Sequence, residues 1–226
     1  MKKRMYLFIA LFAGAHGLYA QDCAKGYCPS TIVVHHKAGD LSPIGADITY
    51  NVLKVGTLCW IAQNLGASAA PTAFNNYGGN YDGWVYQAGL KQGYVPSPSE
   101  NLVNFSSWPS TWPTASDPCT QTFGAVWRLP TSAEWISATS STWSTSPQPN
   151  EYSAIYWYNN SGTLSLFANA VSAAFYWISD LGSGATPIRA QTTSASYATF
   201  ITTGNSSGSN YQTVAFPIRC VKKVTD

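Results

Sequence analysis

The stretch Trp127-Arg128-Leu129-Pro130-Thr131-Ser132-Ala133-Glu134-Trp135 leaves this chain least freedom, because several independent signals in it demand one structure. Pro130 presets the backbone at the start of a helix. Thr131 is placed to accept the amide of Glu134, and Glu134 to reach back to the amide of Thr131, which together make a capping box. A helix is predicted from here, with Trp135 and Ile136 turned onto the body of the domain and Trp127 and Leu129 arriving on an extended segment.

The chain has 226 residues, enough for one well-filled domain. Its first residues read as a secretory signal peptide, residues 1–20: Lys2, Lys3 and Arg4, then the apolar run from Met5 to Ala13, then small residues leading to Ala20. Cleavage is expected after Ala20, followed by a short leader (21–29) and a single domain (30–226). The apolar run is too short for a stable anchor, so no integral membrane span is expected. Cys23 follows Asp22 rather than a small residue, which argues against a lipoprotein signal. Without Lys2, Lys3 and Arg4, the twelve Lys and Arg fall to nine against ten Asp and Glu. That balance offers no basic face for nucleic acid. Charged residues make up only 10%, against about 25% in an average soluble protein, while Ser, Thr, Asn, Gly, Tyr and Trp abound. Such a composition suits a secreted or cell-surface, β-rich protein.

All five cysteines follow the signal segment, in a compartment that permits disulfides, and no CxxC pair occurs. The odd count leaves at least one thiol unpaired or intermolecular. Cys23 and Cys28 flank Lys25-Gly26-Tyr27 in a short polar loop that a local disulfide would close, unless this stretch is a disordered leader.

Strands are predicted at Thr31 to His35, Asp47 to Leu53 and Val55 to Ala62, with Gly39 and Ser42-Pro43 breaking the chain between the first two. Residues 66 to 125 are rich in Gly, Pro, Ser, Asn and aromatics and carry only a short apolar patch, Trp84-Val85-Tyr86. A long irregular stretch inside a domain is usually functional loop. Thr139 to Asn150 is a further Ser/Thr/Pro-rich loop carrying Trp143. More strands are expected at Ala154 to Tyr158, Leu164 to Ala170, Phe175 to Ser179, Ile188 to Gln191, Ala198 to Thr202 and Val214 to Val221.

An ordered set of blocks carries a family resemblance: Cys59-Trp60-Ile61-Ala62-Gln63-Asn64-Leu65-Gly66-Ala67, Asp117-Pro118-Cys119, Trp127-Arg128-Leu129-Pro130-Thr131 with Glu134-Trp135, Phe175-Tyr176-Trp177, and Phe216-Pro217-Ile218-Arg219-Cys220-Val221. Over roughly residues 30 to 223 the chain resembles the Fibrobacter succinogenes major paralogous domain, a family of exported bacterial domains often met in Bacteroidota. That family is similar in turn to formylglycine-generating enzyme. The resemblance implies a single α+β domain of C-type-lectin-like fold, with a twisted antiparallel sheet, few helices, neighbouring termini and long loops. The chain departs from the commoner pattern between Cys119 and Trp127, where residues are inserted. The resemblance also places Cys119, ahead of the capped helix, beside Cys220 in the terminal strand, which implies a disulfide between them. Competing pairings involve Cys59, which otherwise reads as a packed thiol next to Trp60, and Cys23 with Cys28.

Residues for chemistry are sparse. His35 and His36 are the only histidines after the signal segment, and neighbours on a strand face opposite ways, so one belongs inside and one outside and neither pair geometry nor ligand set for a metal is expected. Gln148-Pro149-Asn150 with Glu151 is similar to the tripeptide with which calcium-dependent lectins grip sugars, but calcium wants more carboxylates than Glu151 supplies, and the stretch reads as a turn. Copper-dependent formylglycine-generating activity needs a cysteine pair whose sequence setting neither Cys119 nor Cys220 matches. No cofactor and no enzymatic activity are therefore expected. Rings in loop-like sequence stand out instead: Trp108, Trp112, Trp143, Tyr152, Tyr156, Trp157 and Tyr211. Aromatic faces among Asn, Ser and Thr pack on sugar rings or anchor protein partners. The expectation is an exported binding module, an adhesin or surface-assembly component, that takes a glycan or cell-surface protein. The alternatives are an oxidoreductase of formylglycine-generating type, or a ligand-display protein with variable residues in the Ser-, Thr-, Asn- and Tyr-rich stretch Tyr197 to Tyr211.

Overall fold

The computed structural model describes residues 27–39, 41–69, 83–95, 112–141, 156–158, 164–166, 174–180, 189–194, 197–201 and 215–224. The signal segment, Cys23, and the Gln148 to Glu151 tripeptide lie outside them. So do Trp108, Trp143, Tyr152 and Tyr211.

β1 (Thr31–His36), β2 (Ala46–Val55) and β3 (Leu58–Ile61) form an antiparallel meander. Gly56 takes the β2–β3 turn with a positive φ of 59°, which a side chain would resist. Two other strands complete this sheet: β13 (Val221–Lys223) pairs with β3 and with β6 (Trp127–Arg128), giving the order β1-β2-β3-β13-β6. The period of two sorts the side chains of this sheet between two cores. Cys59 and Ile61 of β3 join Ile48, Tyr50 and Val52 of β2 and Trp127 on one face. Trp60, Val55 and Val221 turn to the other face, where they meet Trp135 and Ala138.

Those last two residues belong to α2 (Ser132–Ser141), the helix expected from the capping box. Thr131 Oγ1 accepts the Glu134 amide at 3.2 Å, and Glu134 Oε2 accepts the Thr131 amide at 2.8 Å. A second helix, α1 (Pro118–Phe123), occupies the stretch ahead of Trp127. Its signal was present in the sequence: Asp117 is an N-cap residue and Pro118 sits at the first helical position.

A second sheet runs β5-β4-β12-β7-β8, built from β4 (Val85–Gln87), β5 (Gly93–Tyr94), β7 (Tyr156–Tyr158), β8 (Leu164–Leu166) and β12 (Ala215–Phe216). A third runs β11-β10-β9, from β9 (Ala174–Trp177), β10 (Arg189–Ser194) and β11 (Tyr197–Ile201). The strand expected at Val214 to Val221 is thus two strands on two sheets. Pro217 has no amide to give to a ladder, and residues 217–220 instead serve as a tie. The carbonyls of Pro217, Ile218 and Cys220 accept the amides of Trp177, Leu65 and Ile61 at 3.3, 3.1 and 2.9 Å. The strands named pair antiparallel throughout, so the described residues make an α+β fold dominated by antiparallel sheet with few helices. None of their helices is long and apolar enough to cross a membrane.

Two disulfides brace this arrangement. Cys119 is bonded to Cys220 with Cα atoms 5.4 Å apart. Cys28 is bonded to Cys59, with Cα atoms 5.5 Å apart, and not to Cys23. The Val52 amide donates to Ser30 O at 2.9 Å, so the chain ahead of β1 runs beside β2, whose other neighbour carries Cys59. Nearness in the fold outweighs nearness in sequence. Cys59, read as a packed thiol, is a buried half-cystine.

Candidate binding site

The blocks that carry the family resemblance hold the structure together from within. Arg219 is buried, and its Nε donates to Asn64 Oδ1 at 2.9 Å while Nη1 reaches the carbonyls of Ala62 and Ile61. Its guanidinium also lies 5.6 Å from the centre of the Tyr176 ring. Gln63 does the same work one strand over, accepting the Asn51 amide at 2.6 Å and donating to the carbonyls of Thr49 and Ala67. Asp117 accepts the amides of Cys119 and Thr120 at the head of α1 and, on its other oxygen, that of Leu129 at 2.9 Å. Burial pushes its carboxyl above the ordinary value despite these three amides and nearby Arg128. These are buried polar groups whose partners are mostly main-chain atoms, and a group so occupied is not offered to a ligand.

Strand register says more about where a ligand could be met. β4 is antiparallel to β5 and to β12, and β12 to β7, with Val85 opposite Tyr94, Gln87 opposite Ala215, and Ala215 opposite Tyr156. β8 follows, with Leu166 opposite Tyr156. At one end of this sheet the chain therefore arrives at β4 through Gly83 and Trp84, leaves β5 after Tyr94, arrives at β7 before Tyr156 and leaves β8 after Leu166. The stretches that begin or end there include 70–82, 96–111 and 142–155. At the opposite end the chain leaves β7 after Tyr158 and arrives at β12 before Ala215, so the stretch 202–214 joins the sheet there. Trp108, Trp143, Tyr152 and Tyr211, expected from the sequence to take part in binding, lie outside the described residues.

The tether of 70–82 is narrow. The Trp84 amide donates to Leu65 O at 2.8 Å, and a Cβ on Gly66 would lie 2.2 Å from the Trp84 ring. Gly66 and Gly83 both have positive φ, 89° and 66°, at the two sides of this neck. No side chain fits there.

Trp112, expected in the binding surface, is a core residue instead. It is only 7% exposed, its indole N–H donates to Ser116 O at 2.8 Å, and its ring packs edge-on against Trp177 at 5.9 Å. Ser116 ends a short 3-10 turn at Thr114–Ser116, which folds the chain back under the indole. Trp127, Trp135 and Trp177 are fully buried as well. Tyr156 and Trp157 have their backbones in β7, paired with Leu166 and Ser165.

A recess of about 420 Å³ lies between the β2–β3 turn and α2. Arg128, Glu134, Ser137 and Lys223 contribute its polar walls, and Val55, Leu58 and Trp60 the apolar ones. Arg128 and Glu134 face each other with two hydrogen bonds, at 2.8 and 2.5 Å. Burial alone would raise the Glu134 carboxyl, but the bonds from Arg128 and from the Thr131 amide hold it below its ordinary value. Asp180 caps the same helix, accepting the Ser132 amide at 2.9 Å. The recess thus offers little acid-base chemistry, since its carboxylate is an ionised helix cap.

The two histidines face opposite ways. His35 is exposed and contacts Asp47 Oδ1, while His36 is buried and its Nε2 lies 2.9 Å from the Tyr50 hydroxyl. Tyr50 Oη in turn accepts the Gly66 amide at 2.9 Å, and the Trp84 ring meets His36 edge-on at 4.6 Å. Among the described residues no group of three or more His, Cys, Asp or Glu could hold a metal ion.

No family model, no curated protein and no solved structure matches the chain.

Proposed function

We propose that this chain is an exported or cell-surface binding module of C-type-lectin-like fold, similar to the Fibrobacter succinogenes major paralogous domain. It takes a glycan or a cell-surface protein on aromatic, Ser- and Asn-rich segments displayed by a rigid body. The observation that supports this reading is the register of the second sheet, which brings the points where the chain enters β4, leaves β5 and enters β7 to one end of one sheet. A fixed scaffold below variable connections is the usual way to build a binding surface. The two disulfides are compatible with an extracytoplasmic site of action. They also support binding over chemistry of the formylglycine-generating type, because Cys119 and Cys220 are buried and bonded to each other, so neither is a thiol.

The test is glycan-array and surface-protein binding by residues 21–226, compared with a Trp108, Trp143 and Tyr152 triple alanine variant and with Tyr211→Ala. Binding is expected to be lost in the triple variant and kept in Tyr211→Ala. Undiminished binding by the triple variant would remove those segments from the site, and oxidation of a cysteine peptide by copper-loaded protein would replace binding with catalysis.

A further inference from the structure

We propose that β1 is a docking edge for a second copy of this chain, paired antiparallel to itself about Val33. Among the described residues β1 is the outermost strand of its sheet, with β2 on one side only. The Val52 amide bonded to Ser30 O fixes the phase of the ladder: Ser30, Ile32, Val34 and His36 turn their main-chain groups to β2, and Thr31, Val33 and His35 turn theirs away. Among the described residues those outward N–H and C=O groups have no partner. Natural proteins normally blunt such an edge with a bulge, a proline or a charge. β1 has none of these from Thr31 to His36, and its register against β2 runs without a shift.

The occupant follows from the symmetry of what is left free. An antiparallel copy centred on Val33 sets Thr31 opposite His35, Val33 opposite Val33 and His35 opposite Thr31, so each outward donor meets an acceptor. Val33, 48% exposed, would cover its own twin, and the half-buried Ile32 and Val34 would become cross-strand neighbours on the core face. No Lys, Arg, Asp or Glu lies in the strand to repel a copy of itself. An independent count points the same way. The two disulfides use Cys28, Cys59, Cys119 and Cys220, which leaves Cys23, close ahead of β1 in sequence, with no cysteine partner in its own chain. An odd cysteine in an exported chain suits an intermolecular bond.

Sedimentation of residues 21–226 over a concentration series, with and without reductant, tests this. The expected result is a dimer that Val33→Pro and Val33→Lys each convert to monomer with an unchanged melting temperature. The Val33 amide faces away from β2, so the proline removes a donor only from the outer edge. If Val33→Pro does not fold, Val33→Lys decides. Cys23→Ser should leave a dimer that dissociates at higher concentration than the parent. A parent chain monomeric at every concentration, or a dimer that survives both Val33 variants, overturns the proposal. So does a dimer abolished by Cys23→Ser alone.

Discussion

The first and second sheets are made by opposite means. In the first, β2 has ten residues, and the shorter β3, β6 and β13 are held by side chains that reach main-chain groups: Gln63, Arg219, Asp117 and the Thr131–Glu134 box. Both disulfides begin or end in it or beside it. In the second, every strand has two or three residues, and the intervening chain is long. Regular ladders need little help when strands are long, whereas short strands are stable only where something else fixes their ends. The first sheet supplies that fixity to the second through residues 217–220, and above all through Arg219.

The largest test of this division removes the braces one at a time. Cys119–Cys220 spans 101 residues and Cys28–Cys59 spans 31. In the chain-entropy account the first contributes about 4.7 kcal/mol and the second about 3.7 kcal/mol. Either is a large share of a stability of about 5–15 kcal/mol. Calorimetry on the Cys119/Cys220 double alanine variant should show a fall of about 10–20 °C at roughly 2–4 °C per kcal/mol, and the Cys28/Cys59 variant a smaller one. The reverse order would mean that the short loop, next to β1–β3, matters more than the tie between the helices and the last strand.

Arg219→Met sharpens the comparison at a single side chain. It keeps most of the volume but strands Asn64 Oδ1 and the carbonyls of Ala62 and Ile61, at a cost of about 2–4 kcal/mol. Hydrogen exchange should then rise at the amides of Ile61 and Leu65, whose acceptors are Cys220 O and Ile218 O. Loss of stability without that local change would show that the guanidinium works through Tyr176 instead.

The same contrast decides what could be seen in the sequence. Thr131 and Glu134 announce α2 because a capping box is local, and the alternation of β2 announces its two faces. β4 reads as no more than an apolar patch because Val85, Tyr86 and Gln87 are all buried, so no alternation marks them. Asp117-Pro118 is a helix-start signal with nothing to support it, since a helix of six residues leaves no apolar period to confirm it. Cys23 and Cys28 look paired because they are close along the chain; the true partner of Cys28 is set by the order β1-β2-β3, which is a long-range fact. Trp112 illustrates the limit for the binding surface. Its neighbours Ser, Thr and Pro read as loop, and only the arrangement of Trp177 and Ser116 about it places it in the core. Arg219 stood in a block that resembles a family, but nothing local reveals that it holds a turn more than a hundred residues away.

The smallest predicted effect probes the seam between the two sheets. His36 ends β1, and its ring meets Trp84, the residue that leads into β4; Tyr50 Oη connects it to the Gly66 amide at the neck of 70–82. Burial first, then the neighbouring His35, lower its pKa from 6.5 to about 4, against a smaller opposing pull from Asp47. A neutral His36 can accept or donate at Nε2 according to its tautomer, whereas a protonated one can only donate there to the Tyr50 oxygen. The unfolded chain binds a proton at His36 between pH 6.5 and about 4 while the folded chain does not, so this contribution is full above pH 6.5 and lost as pH falls through that window. The slope is about 1.4 kcal/mol per pH unit, and the total reaches at most about 3 kcal/mol. Asp117 works in the opposite sense, because its carboxyl is held above the ordinary value and takes up protons more readily in the folded chain. A urea titration of the parent therefore mixes the two, and the difference between parent and His36→Asn isolates the histidine. His36→Asn is expected to be less stable at pH 7 and to lose less between pH 6.5 and 4.5. Parallel pH profiles would place the acid sensitivity elsewhere and leave the seam held by packing of Trp84 against Gly66 alone.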